Sequence, residues 1–136
     1  MSEPEATATG PTPFEVMGGA AAVRALVDRF YDLMDLDPAY QGIRKLHPTS
    51  LDGSRDKLNW FLSGWLGGPP HYVERFGHPR LRARHLPFVI GIKERDLWMA
   101  CMTQAMRERA VDERLAQRLA ESFFNTADWM RNTPGS

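Results

Sequence analysis

GHPRLRARHLPF, residues 77–88, is the stretch around which this chain is organised, because it combines many ionisable groups with little regular periodicity. Pro79 can open a short helix, and Pro87 disfavours helical backbone at the residue before it. We therefore expect His85 on the last turn of a segment no longer than two turns. Between residues 75 and 92 there are four arginines and no acidic residue, the arginines being Arg75, Arg80, Arg82 and Arg84.

An imidazole at the end of a helix, next to a cationic strip, suits a metal ligand whose cofactor carries carboxylates. The plainer interpretation is that His85 is a surface or hydrogen-bonded loop histidine and that the four arginines form a solvated face. On spacing alone the plainer interpretation is the more common one. The rest of the chain has to decide between the two.

Composition indicates one domain with balanced charge. The chain has 136 residues, of which 17 are basic and 17 acidic, a length suited to a single core. Balanced charge argues against nucleic acid or an anionic membrane as the main partner. The single cysteine, Cys101, excludes an internal disulfide framework and a cysteine-rich zinc site and fits a reducing cytoplasm. No apolar run approaches the ~20 residues of a membrane span, and the first residues do not resemble a secretory signal.

The chain is expected to begin with a disordered tail, residues 1–13, followed by one domain over residues 14–136. The tail is small and polar, with too few apolar residues to pack. Thr12-Pro13-Phe14-Glu15 is a capping-box pattern, and Gly18-Gly19 ends the helix that it opens.

Apolar spacing predicts four longer helices and no strand. The first runs from Ala20 to about Asp35 and turns Tyr31 toward the core. A turn or two of helix and a corner fill residues 38–48. The second long helix is capped near Ser50 or Asp52. Its inward side is expected to carry Leu51, Ser54, Leu58, Phe61, Leu62, Trp65 and Leu66.

The third long helix runs from about Lys93 to Arg109 with Trp98 pointing inward, and Asp112 caps the fourth. Between the second and third helices, residues 67–91 contain four prolines and four glycines and show no sustained period. A loop of that length in a small domain suggests that it wraps a ligand. A planar cofactor bound through His85 could fill the gap in the core, with its carboxylates against the arginines.

Four motifs occur in the order and spacing of a group II truncated haemoglobin, and the chain resembles that family from about Phe14 to its end. They are RFY at 29–31, FLSGWLGGP at 61–69, GHPRLRARHLPF at 77–88 and ERDLW at 94–98. The resemblance implies an all-α, two-over-two helical sandwich around haem b, with His85 as the proximal iron ligand.

The resemblance also implies the residues of the site. Tyr31 and Trp98 match distal residues that hydrogen-bond a bound gas, and Ser54 faces the ligand one turn before Leu58. His47 stands at a corner position where the family usually has phenylalanine or tyrosine. The expected cofactor contacts are His85, Phe61, Leu58, Tyr72, Arg82, Arg84 and Trp98, and the expected ligand contacts are Tyr31, Trp98, His47 and Ser54.

Taken singly, the distal residues have plainer interpretations. Tyr31 and Trp98 could simply pack in the core, and His47 before Pro48 could face solvent in a turn. Cys101 is expected to be a buried apolar residue.

The leading functional hypothesis is a haem protein, monomeric or homodimeric, that binds O2 and related diatomics such as CO and NO. Preplaced donors slow ligand release, and slow release favours chemistry over delivery. Peroxidase-like or NO-consuming turnover with an unidentified reductant is therefore a second expectation. The alternative is a cofactor-free helical interaction module that docks an acidic partner through the arginine strip.

Overall fold

The computed structural model describes residues 10–77 and 90–131, and every regular element in these ranges is helical. The all-α prediction is confirmed. The α-helices are α1 (Pro13–Met17), α2 (Ala20–Leu36), α3 (Gln41–Arg44), α4 (Asp52–Trp65), α5 (His71–Phe76), α6 (Ile92–Glu108) and α7 (Glu113–Trp129), and a 3-10 turn spans Pro38–Tyr40. No helix in the described ranges is long and apolar enough to cross a membrane.

Helix α1 forms as its sequence predicts. The Thr12 hydroxyl accepts from the Glu15 N–H, and the Glu15 carboxylate accepts from the Thr12 N–H. Phe14 ties this helix to the end of α4, because its N–H donates to the Leu66 carbonyl at 2.8 Å. A Cβ at Gly68 would lie only 2.5 Å from the Phe14 ring, so the close approach of the two segments requires glycine there.

Helix α2 is the centre of the core. Its predicted stripe is buried, and it packs against both α4 and α6, while α6 packs against α7. The four long helices thus form two packed pairs, α2 with α4 and α6 with α7, that meet through α2 and α6. Cys101 on α6 is fully buried, as predicted, and its thiol donates to the Phe30 carbonyl at 3.3 Å. Burial raises the pKa of this thiol to about 12, so it stays protonated and unreactive.

The start of α4 differs in detail from the prediction. Leu51 rather than Ser50 or Asp52 is the N-cap, and it provides no side-chain bond. The Ser50 hydroxyl nevertheless accepts from the Asp52 N–H at 3.3 Å, so the predicted residue still satisfies one of the unpaired donors of the first turn. At α7 the prediction holds without change, since the Asp112 carboxylate accepts from the Leu115 N–H.

The prediction of an irregular loop over residues 67–91 is wrong for residues 71–76, which form α5. Pro70 is the N-cap of α5, a position where the missing proline N–H costs no helical hydrogen bond. Six residues are too few to show a helical period in the sequence. Helix α5 buries Tyr72 and packs against α4. Residues 78–89, with the predicted helix end at His85, lie outside the described residues, as do residues 1–9 of the predicted tail.

Candidate functional site

Tyr31 is a buried donor at the centre of the predicted site. Its side chain is 6% exposed, and its ring meets the Phe30 ring edge-on, with centroids 4.9 Å apart. Within the described residues its hydroxyl makes no hydrogen bond. Burial raises the pKa of the phenol well above its usual value, so the hydroxyl stays protonated at any physiological pH. A buried phenol that keeps its proton can donate to a group that enters from outside the chain.

His47 lies against Tyr31. The two ring centroids are 5.8 Å apart and the rings meet edge-on. The His47 Nδ1 is 2.9 Å from the Ile43 carbonyl oxygen, and because a carbonyl can only accept, Nδ1 carries the proton of the neutral ring. Nε2 therefore carries a hydrogen atom only when the ring is protonated. The half-buried position beside Tyr31 does not match a turn histidine that faces solvent.

Trp98 shares a neighbour with Tyr31. The indole on α6 lies 5.2 Å from the Phe30 ring and 5.6 Å from the Phe123 ring of α7. Trp98 is only half-buried, although it packs against the core. Phe30 thus contacts both predicted distal residues.

Helix α4 contributes an apolar wall that is incompletely covered. Leu58 and Phe61 pack against the core but stay half-buried, and Ser54, on the same side, is also half-buried. The Phe61 ring lies 6.1 Å from both the Trp65 and the Tyr72 rings. The prediction that Trp65 is buried is wrong, because this indole is 41% exposed, stacked 5.0 Å from Phe123.

These rings form a continuous aromatic series that begins at His47, in the turn after α3, and ends at Trp60 on α4. Each ring in the series lies within 4.9–6.1 Å of the next, in the order His47, Tyr31, Phe30, Trp98, Phe123, Trp65, Phe61, Tyr72, Phe76 and Trp60. The Tyr31 end is buried, whereas Trp65 and Phe76 at the other end are 41% and 43% exposed.

The side chains present fit a planar apolar group such as haem. Incompletely covered aromatic and aliphatic side chains offer it contact, and the Tyr31 hydroxyl offers a donor to whatever the group binds. The described residues contain no cluster of three or more metal-ligating side chains. Haem iron needs only one protein ligand in a globin, so such a cluster is not required. The predicted ligand His85 and the predicted cofactor contacts Arg82 and Arg84 lie outside the described residues.

Two contacts of the site could not be read from the sequence. The guanidinium of Arg75 lies 4.4 Å from the centre of the Trp60 ring, so this member of the arginine strip is engaged with an indole. The guanidinium of Arg55 lies 5.9 Å from the centre of the Tyr31 ring. Both contacts join different helices, and the residue spacing within one helix carries no signal for them.

Comparison with known proteins defines the family. A family model described as bacterial-like globin matches residues 12–132. The chain is 37% identical over 120 residues to the group 2 truncated hemoglobin YjbI of Bacillus subtilis, a match that covers 88% of each chain. It superposes with a TM-score of 0.88 on the group II 2-on-2 hemoglobin of Agrobacterium tumefaciens, at 42% identity, covering 97% of this chain and 98% of that one.

A third similarity is to the truncated oxygen-avid haemoglobin of Bacillus subtilis, with a TM-score of 0.81 and 37% identity over 90% of this chain and all of that one.

The helical sandwich is therefore a two-over-two globin fold. The chain belongs to the bacterial-like globins, and its relatives are truncated haemoglobins of group II. Proteins of this family bind a small gas such as O2 at haem iron, which favours the haem-protein hypothesis over the cofactor-free module.

Proposed function

We propose that this protein binds haem b through His85 and holds O2 in a pocket whose hydrogen-bond donors are Tyr31, Trp98 and, when protonated, His47. The observation that carries the proposal is the position of Tyr31, a buried residue whose phenol keeps its proton and whose hydroxyl makes no hydrogen bond within the described residues. A hydrogen bond from this hydroxyl to a partly charged ligand is worth roughly 1.5–3 kcal/mol.

Haem held by these residues would supply the iron at which a diatomic ligand binds, and Tyr31, Trp98 and protonated His47 would donate to that ligand. The hydrogen-bond donors of the protein then set the rate at which the ligand is released. A protonated phenol donates a hydrogen bond that strengthens as the acceptor becomes more negative, and its apolar surroundings strengthen that bond further. O2 and NO-derived ligands therefore gain more from Tyr31 than nearly neutral CO does.

The oxygen-avid character named for the Bacillus subtilis relative supports the assignment to O2. A long-lived complex suits reaction better than delivery. With an electron donor of the cell, such retention favours peroxidase-like or NO-consuming turnover, which steady-state assays with peroxide or NO measure directly.

The cheapest test is the absorption spectrum of the purified chain, because a haem protein has a Soret band and a cofactor-free module does not. His85→Ala should then abolish haem retention or replace the native iron–nitrogen stretch in the Raman spectrum of the ferrous form. The matched control is His71→Ala, since the His71 side chain is 41% exposed at the start of α5 and pairs only loosely with Glu74 at 3.7 Å. Unchanged haem content and an unchanged stretch in His85→Ala would contradict the proposal.

A further inference from the structure

Arg55 stands beside the proposed ligand donor without belonging to any motif of the sequence. We propose that Arg55 is a positioning residue for Tyr31, whose fixed guanidinium lies over the phenol ring and makes the hydroxyl a stronger donor to a negatively polarised ligand. The inference rests on the proposed O2 function and deepens it. It assigns to Arg55 a part of the discrimination between O2 and CO.

The guanidinium of Arg55 is fixed at both ends by α2. Its Nη1 donates to the Asp28 carbonyl oxygen at 3.0 Å and to the Asp28 carboxylate at 3.2 Å, and its Nη2 donates to the Asp32 carboxylate at 2.8 Å. The Arg55 side chain is 18% exposed. A planar group with three such bonds has little freedom, so its position relative to Tyr31 is well defined.

The two carboxylates bracket Tyr31 along α2. Asp28 precedes Tyr31 by three residues and Asp32 follows it directly, so the guanidinium that joins them spans the stretch of helix from which the Tyr31 ring projects. The guanidinium carbon then lies 5.9 Å from the ring centroid, within the distance at which a cation and an aromatic ring attract. The carboxylates are 40% and 43% exposed, so these ion pairs add little stability and mainly orient the guanidinium.

A fixed cation near a phenol favours its ionised form and polarises its O–H bond. Burial raises the pKa of Tyr31, and the charge of Arg55 opposes that rise. Among the described residues, the other ionisable groups near the ring include the Asp28 and Asp32 carboxylates that hold Arg55, Cys101, which acts in the same direction as burial, and His47, whose ring meets it edge-on. Arg55 thus supplies a steady positive charge to a donor that must stay protonated, because arginine does not lose its proton in proteins.

A merely structural role for Arg55 can be separated from this one, because Arg24 supplies the structural role alone. Arg24 also joins α2 to α4, with Nη1 donating to Asp56 at 2.8 Å and Nε to Asp28 at 3.2 Å. Its side chain is 40% exposed, and it makes no ring contact with Tyr31 within the described residues. Arg24→Met is therefore the matched control for Arg55→Met.

The first experiment measures O2 and CO release from the full haem-loaded chain by flash photolysis and stopped flow. Arg55→Met should speed O2 release roughly 2- to 5-fold, the size expected for one cation–ring contact, and leave CO release within error. Arg55→Lys should give an O2 release rate between those of the parent and Arg55→Met, because lysine keeps the charge but lacks the planar guanidinium that bonds both carboxylates. The inference is overturned if Arg24→Met speeds O2 release equally, or if Arg55→Met changes O2 release as much in a Tyr31→Phe background.

The second experiment reads Tyr31 itself. A fluorinated tyrosine at position 31, whose phenol is intrinsically more acidic, allows its titration to be followed by fluorine NMR in the full-length chain. Arg55→Met should raise the pKa of this phenol, and Arg24→Met should leave it unchanged. An unchanged pKa in Arg55→Met overturns the inference while a Soret band upholds the proposed function. A missing Soret band with a raised pKa overturns the function and leaves the Arg55–Tyr31 coupling established.

Discussion

The contact of α2 with α6 differs from the apolar wall of α4, which the neighbouring helix α5 extends, in how completely the protein covers its own apolar side chains. Where α2 meets α6, Val27, Phe30, Met34, Cys101 and Met102 are all 0% exposed. On the wall, large apolar side chains remain in contact with solvent, among them Trp65 at 41%, Phe76 at 43% and Val73 at 53%.

This difference indicates which of the two regions is fully packed by the protein's own side chains. The α2–α6 contact is filled by the chain's own side chains, so no added group is needed to complete its packing. The wall leaves rings half-covered and carries Leu58 and Phe61, two of the predicted cofactor contacts. Covering apolar surface of that kind with a planar apolar group stabilises the complex by ~25 cal/mol per Å² covered. Substitutions in the α2–α6 contact should therefore mainly change the stability of the fold, and substitutions in the wall should mainly change the retention of the cofactor.

The largest expected effect is on folding, in the α2–α6 contact. Phe30→Ala removes a fully buried ring that contacts both Tyr31 and Trp98, and it should lower the free energy of unfolding by ~3–5 kcal/mol. Urea denaturation of the haem-free chain measures this loss. Phe61→Ala on the wall is the matched variant, and it should lose about half as much stability or less while it speeds haem loss to an acceptor globin. Equal destabilisation by the two variants would remove the distinction between the two regions.

The next largest effect is expected on O2 release and involves Trp98, whose ring lies between those of Phe30 and Phe123. A hydrogen bond to a partly charged ligand is worth ~1.5–3 kcal/mol, so Trp98→Phe should raise the O2 release rate by roughly 10- to 150-fold. The phenylalanine retains a ring against Phe30 and should preserve the fold. A release rate within twofold of the parent would show that Trp98 only packs.

A smaller effect should depend on pH and involves His47. Imidazole is the side chain that changes charge near neutral pH, and here only the protonated ring adds a hydrogen atom at Nε2. Protonation also adds positive charge beside Tyr31, so O2 release should be roughly 2- to 5-fold slower at pH 5 than at pH 8, the size of a partly screened charge effect. His47→Phe should abolish this dependence. Identical pH profiles in the two proteins would remove His47 from the site.

The smallest effect concerns the arginine strip. Arg82→Gln and Arg84→Gln should each speed haem loss modestly, because ion pairs at a surface are worth only ~0–1 kcal/mol. Arg75→Gln is the control, since the Arg75 guanidinium lies on Trp60, and it should leave the haem-loss rate unchanged. If Arg75→Gln alone speeds haem loss, the assignment of carboxylate contacts within the strip is reversed.

Much of the fold follows from local signals. The capping box of α1, the stripe of α2, the Asp112 cap of α7 and the burial of Cys101 were all predicted correctly, because caps and helical periods act over one or two turns. Helix α5 was missed because six residues after Pro69-Pro70 show no period. The exposure of Trp65 was missed because helical spacing tells which residues share a side but not what covers that side.

By itself the sequence determined the long helices and the family, which depend on spacing along the chain, whereas the site residues it indicates stay predictions. Only the tertiary structure decided which side chains meet. It placed His47 against Tyr31, Phe30 between Tyr31 and Trp98, and Arg55 over the Tyr31 ring. The physical reason is that such contacts depend on how separate helices pack and cross, and that geometry is fixed by the whole interdigitated core rather than by any one segment.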